Sequence, residues 1–199
     1  MDTKVAWLKK GIQDSIATKA KMLEDEKFLL NVLEVAEVMA AAFKRGNKVI
    51  FAGNGGSAAD AQHLAAEFVS RFEFDRPGLP SLSLATDTSM ITAIGNDYGY
   101  DKLFLRQLEA QHRKGDIFVG ISTSGKSPNV IEALKVCSDL GVVAIGMCGL
   151  AGDMHIYADY IIRAPSTSTA RIQESHILIG HMLCAYVENS LFSHLKKNE

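Results

Sequence analysis

The chain has 199 residues, of which 47% are hydrophobic and 22% charged, and its formal net charge is -2. That composition supplies a full core for one domain and no electrostatic attraction to nucleic acid or to a membrane surface. No apolar run approaches the roughly 20 residues of a spanning helix. The opening MDTKVAWLKKGIQD lacks the apolar stretch of a secretory signal, and Cys137, Cys148 and Cys184 form no CxxC pair, so a cytoplasmic protein with small, buried, reduced cysteines is expected.

In chain order, roughly the first 45 residues read as helix. There is no proline before Pro77, and Leu29, Leu30, Leu33, Val35, Ala36, Met39, Ala40 and Phe43 recur at helical spacing. Gly11 is a place for a bend, and Gly46 after Lys44 and Arg45 is a helix stop. Short apolar runs then alternate with helical stretches. Strands are expected at Lys48–Ala52, Leu82–Ala85, Asp116–Ile121, Val142–Met147 and Tyr160–Ala164, and a last helix from about Thr169 to near Leu195. Near-continuous apolar strands between helices predict an α/β fold: a five-stranded parallel sheet covered by helices on both faces, behind an N-terminal helical extension. The charged tail Lys196–Glu199 is expected to fray.

Two loops stand out. Gly53-Asn54-Gly55-Gly56-Ser57 leaves a strand and enters a helix, where free N–H groups and the helix dipole favour an anion. Ser122-Thr123-Ser124-Gly125-Lys126-Ser127 places four hydroxyls ahead of a helix, with Pro128 in its first turn and Ser127 at the N-cap position. Both loops lie at carboxyl ends of strands, the ligand-binding edge of open α/β sheets. Each also has a plain reading, a tight turn or self-capping hydroxyls. Gly120–Ser127, GISTSGKS, matches the Walker A pattern, but neither following strand ends in an aspartate to hold magnesium. Gly53-x-Gly55-x-x-Ala58 loosely matches the dinucleotide fingerprint without a well-placed acidic partner.

In SAADAQHLAAEFVSRF, His63 and Glu67 are four apart and share a helix face. In RIQESHILIGHMLCAYVE, Gln173, Ile177 and His181 step by four, and spacing alone does not separate His181 from His176. A carboxylate and a histidine suit aldose–ketose interconversion, which moves a proton alpha to a carbonyl and another on the neighbouring oxygen. The same His, Glu and His with a glutamine oxygen suit a divalent metal that polarises the carbonyl. One residue can hardly ligate a metal and shuttle protons freely, so the two schemes compete.

With GNGGSAADAQHLAAEF, RPGLP, GNDYGYD, GDIFVGISTSGKSPNVI and ARIQESHILIGH in order, the sequence resembles the bacterial phosphoheptose (sedoheptulose-7-phosphate) isomerases of the sugar isomerase (SIS) domain class. The resemblance spans nearly the whole chain. It implies a single SIS domain over residues 1–199, with residues 1–45 used in oligomerisation. It implies that Asn54, Gly55, Gly56 and Ser57 line the substrate site, that Ser122, Thr123, Ser124 and Ser127 hold the phosphate, and that Asn96 and Asp97 contact sugar hydroxyls. Glu67 is the implied base and His181 the second acid/base. His63, Glu67, Gln173 and His181 are the implied zinc ligands, with Gln173 also at the substrate. The implied reaction converts sedoheptulose 7-phosphate to D-glycero-D-manno-heptose 7-phosphate, the first step toward lipopolysaccharide heptose, in a cytoplasmic homotetramer whose subunits complete one another's sites. The resemblance also sets the Walker match aside, leaving the role of Lys126 open. A competing reading is a non-catalytic adaptor resembling the DnaA initiator-associating protein, which shares the patterns GNG-x-SAA-x-AQH and ARIQE. Glu67 and His181, both present here, favour the enzyme. A third is a sugar-phosphate sensor, but 199 residues leave no room for an added DNA-binding domain.

Overall fold

The computed structural model describes residues 3–196, so residues 197–199 of the expected frayed tail lie outside the described residues. Five strands form one parallel sheet: β1 (Val49–Gly53), β2 (Ser81–Ser83), β3 (Ile117–Ile121), β4 (Val143–Cys148) and β5 (Tyr160–Arg163), in the order β2-β1-β3-β4-β5. β1 and β3 are buried along their whole length, as strands covered on both faces must be. Their side chains alternate between two cores. Val49, Phe51, Ile117, Val119, Ile145 and Met147 face one core. Ile50, Ala52, Phe118, Ala144 and Cys148 face the other.

The first core is covered by α2 (Glu26–Lys44), α3 (Gly56–Val69) and α7 (Thr169–Phe192), the second by α5 (Leu103–Gln111) and α6 (Pro128–Leu140) with α4 (Thr88–Tyr98) at its margin. The N-terminal stretch is two helices of different character. α1 (Thr3–Glu24) runs unbroken through Gly11, and the break falls instead at Asp25, whose carboxylate caps α2 by accepting from the Phe28 amide at 3.0 Å. A lone glycine lowers helix propensity but breaks nothing unless a cap competes for the chain. α2 belongs to the core through Val35, Ala36 and Met39, whereas α1 buries only Thr18 and Met22. β2 starts one residue earlier than expected and is short. It is an edge strand paired only with β1, although Leu84 still donates to the Phe51 carbonyl at 2.9 Å. The three cysteines are free and buried, and burial pushes the Cys137 and Cys184 thiols up to about 12. Among the described residues no helix is long and apolar enough to cross a membrane.

From β1 the chain moves to one neighbour, β2, and later fills the other side with β3. The loops after β1 and β3 therefore border the point where the strand order reverses, the crevice in which such sheets bind ligands.

Candidate active site

The two small-residue loops are tied together across that crevice. Asn54, after β1, and Asn129, in the first turn of α6, exchange two amide hydrogen bonds of 2.9 Å, and the Tyr100 hydroxyl adds a third onto Asn54 Oδ1 at 2.9 Å. Asn129 is buried. Sequence reasoning missed both partners. The only signal was their place inside the blocks SPNV and GNDYGYD.

In the second loop the hydroxyls face one another. Ser122 Oγ, buried, lies 2.8 Å from Ser127 Oγ and 3.5 Å from Ser124 Oγ. Ser127 occupies the N-cap position of α6, yet its side chain makes no capping hydrogen bond. It is drawn to Ser122 instead, which leaves the first N–H groups of α6 without a side-chain acceptor beside a cluster of hydroxyls. Thr123 contributes through its backbone, its carbonyl accepting from Gly149 at 3.1 Å. The Lys126 amide donates to Ser124 Oγ at 3.2 Å while its side chain is exposed. β4 ends on Cys148 and β5 on Arg163, so neither strand ends in the acidic residue a Walker-type magnesium site requires.

The titratable groups meet at the seam of α3 and α7. His63 Nε2 lies 3.0 Å from Glu67 Oε1, and His181 Nε2 lies 3.2 Å from His63 Nε2. The three residues offer ligand atoms that all lie within 4.8 Å of one another. Two imidazole nitrogens this close, each with a lone pair, need a proton or a cation between them. The donor set, two nitrogens and a carboxylate oxygen, is one that zinc accepts. The seam closes this tightly because Gly180 has no side chain. A Cβ there would sit 2.6 Å from Leu64 Cδ1 and 3.1 Å from Leu64 Cγ. Phe72 stacks at a tilt on His181, ring centroids 5.4 Å apart. The cluster is not dry in the single chain, since the His63 and Glu67 side chains keep 45% and 26% exposure.

Gln173 is placed apart from this cluster. It sits against Gly56 at the start of α3, where a Cβ would come within 3.0 Å of its Cδ. It lies eight residues before His181, about 12 Å along the helix. Gly55 and Gly56 are exposed at this end and Ser57 is buried. Asn96 and Asp97 hydrogen-bond each other at 2.8 Å on the exposed α4, and neither side chain hydrogen-bonds to the two loops among the described residues. His176 is fully buried, and burial, outweighing a backbone bond at Cys148, pushes it down to about 4, which removes it from the accessible candidates. One carboxylate went unnoticed. Asp60 lies on the stripe Gly56–Asp60–His63–Glu67, its Oδ2 is buried without a partner, and burial raises it to about 6 against the pull of His63. Its spacing from His63 was the available signal.

Residues 13–149 match the SIS domain. The phosphoheptose isomerase of Aneurinibacillus thermoaerophilus is 56% identical over 187 residues, 94% of each chain. This chain belongs to the phosphoheptose isomerase family. A second member, phosphoheptose isomerase 2 of Campylobacter jejuni, is 53% identical over 96% of each chain. The solved phosphoheptose isomerase of Francisella tularensis superposes with a TM-score of 0.89 at 32% identity, covering 95% of this chain and all of the other. As a phosphoheptose isomerase family member the chain is a sugar-phosphate isomerase with a single SIS domain. Its Walker-like and dinucleotide-like strings are loops of that domain.

Proposed function

We propose that the protein interconverts sedoheptulose 7-phosphate and D-glycero-D-manno-heptose 7-phosphate, with Glu67 and His181 as the proton-transfer pair. The observation that carries this reading is the convergence of Glu67, His63 and His181 at one seam, while a hydroxyl cluster at a helix N-terminus lies after β3. Ser122, Thr123, Ser124 and Ser127 hold the phosphate, Asn54 to Ser57 line the substrate chain, and Asn96 and Asp97 reach sugar hydroxyls. Gln173, at the α3 end of the same seam, contacts the substrate beside Gly56.

With the ketose bound, Glu67 removes a proton from C1 while His181 delivers one to the C2 oxygen, giving an enediol. Glu67 then returns its proton to C2, the O1 proton leaves to His181, and the carbonyl now stands at C1. No net proton is gained or lost. General base and acid contributions of this kind are each worth about 10²–10⁴ in rate. The donor set fits a metal, and His63, Glu67 and His181 are the residues that would hold zinc, which bound there would polarise the substrate carbonyl; Gln173, held against Gly56 about 12 Å along α7 from His181, stands apart from them in the single chain.

The exposed Trp7, Leu8, Ile12, Ile16 and Leu23 of α1 support a homotetramer built through the N-terminal helices. The open His63–Glu67 edge supports completion of each site by a neighbouring subunit. A cytoplasmic location and a place at the head of lipopolysaccharide heptose synthesis belong to the same proposal. The test is a coupled assay with sedoheptulose 7-phosphate on metal-stripped and zinc-loaded protein beside Glu67→Gln. Turnover lost in the variant, with phosphosugar binding retained, is expected. Near-normal turnover in Glu67→Gln would refute the assigned base. Binding without turnover in the wild type would favour the adaptor reading.

A further inference from the structure

Below the seam lies an ion pair that neither loop nor metal chemistry accounts for. Arg76 and Glu188 are 112 residues apart, and each side chain is only 1% exposed. Arg76 Nε donates to Glu188 Oε1 at 3.0 Å. Its Nη2 donates to the backbone carbonyl of Glu67 at 2.8 Å, and its Nη1 to the carbonyls of Phe68 at 2.6 Å, Ser70 at 3.2 Å and Pro77 at 3.1 Å. The last carbonyls of a helix have no partner inside it, so at the end of α3 the guanidinium supplies them. Glu188, on α7, accepts from the Phe72 amide at 2.8 Å and from the Glu73 amide at 2.7 Å. Phe72 is the residue whose ring lies on His181.

One buried pair therefore touches both sides of the seam. It grips the backbone of Glu67 directly, and it fixes the residue stacked on His181. We propose that Arg76 and Glu188 are positioning residues for the isomerisation, a clamp between α3 and α7 that sets how Glu67 and His181 face each other. This rests on the roles proposed for those two residues. A buried pair need not be kept for stability, because well-packed apolar residues often serve as well. What apolar residues cannot supply is the planar fork that holds several carbonyls at once.

Glu188→Gln keeps the shape and loses the charge. Arg76→Lys keeps a charge and loses the fork to the Glu67 and Phe68 carbonyls. In variants shown to be folded by circular dichroism, kcat should fall by about tenfold or more while KM stays within about threefold, since geometry is lost at the reacting carbon and not at the phosphate. The histidine ring resonances of His63 and His181 should move, and those of His112 and His155 should stay. A folded variant with kcat within twofold of wild type and unmoved His63 and His181 resonances overturns the clamp. So does a shift of all four histidines alike, the signature of general loosening. Should Glu188→Gln fail to fold, Arg76→Lys carries the test. Absence of wild-type turnover would count against the functional reading alone, because the resonances still judge the clamp.

Discussion

Replacing Gly180 with alanine tests whether the closeness of α3 and α7 is what makes the site. The added Cβ would lie 2.6 Å from Leu64 Cδ1 and 3.1 Å from Leu64 Cγ, and Leu64 is itself fully buried. The closer contact is about 1 Å short of the optimum for two carbons, so Leu64 must turn or the helices must part. Overpacking of this kind costs about 1–3 kcal/mol, and alanine in place of glycine inside a helix returns about 1 kcal/mol. The net destabilisation is thus about 0–2 kcal/mol, a fall in thermal midpoint of at most about 8 °C for a chain of this size. Activity should suffer far more. A displacement of about 1 Å at reacting groups can cost on the order of 10²-fold, and His181 is the very next residue. Steady-state kinetics with sedoheptulose 7-phosphate should show kcat reduced on that order, with KM little changed. A folded Gly180→Ala protein with kcat within about threefold of wild type would show that the spacing of the seam does not set the rate.

Three other outcomes are expected. Ser122→Ala and Ser124→Ala should each raise KM for the phosphosugar roughly tenfold or more while kcat holds, because each removes a hydrogen bond to a charged group worth about 1.5–3 kcal/mol; an unchanged KM in the double variant would take the phosphate out of that loop. Calorimetric titration with zinc should give one ion per chain, and His181→Ala should lose most of that affinity; equal binding by the variant would remove His181 from the ligand set. Burial raises the Asp116 carboxyl, but bonds from Lys48, Arg113 and Asn47 outweigh it and hold the group below its ordinary 3.8. A depressed folded value gives stability that is complete above about pH 4 and is lost as pH falls through the lower folded value. Asp116→Asn should therefore lower stability in denaturant unfolding at pH 7, with the gap to wild type narrowing toward pH 2; a gap independent of pH would exclude this carboxylate as the source.

The strands were legible because burial on both faces writes itself as unbroken apolar runs, and four of the five lie within one residue of expectation at each end. β2 was the exception because pairing with β1 stops at Ser83, so the apolar Leu84 lies beyond the strand while still donating to the Phe51 carbonyl. The helix pair His63 and Glu67 was legible because four residues make one turn. Its closure by His181 was readable only through resemblance, since nothing local says that Gly180 meets Leu64 across 116 residues. The choice between His181 and His176 needed burial, and a helix face cannot be oriented from spacing when apolar residues surround it on all sides. Arg76 was visible only as part of an RP string. A long-range pair leaves no periodic trace, so Glu188 looked like any charge near a helix end.

The reciprocal bonds between Asn54 and Asn129 bear on how a ligand is met. A loop that must order itself around a sugar spends conformational entropy at the moment of association. Here each amide already bonds the other, and Tyr100 braces the Asn54 oxygen. The two strand ends behave as a single preformed jaw whose ordering was completed during folding. Under the proposed placement of the substrate, affinity then follows from how well a sugar matches a shape that exists before it arrives.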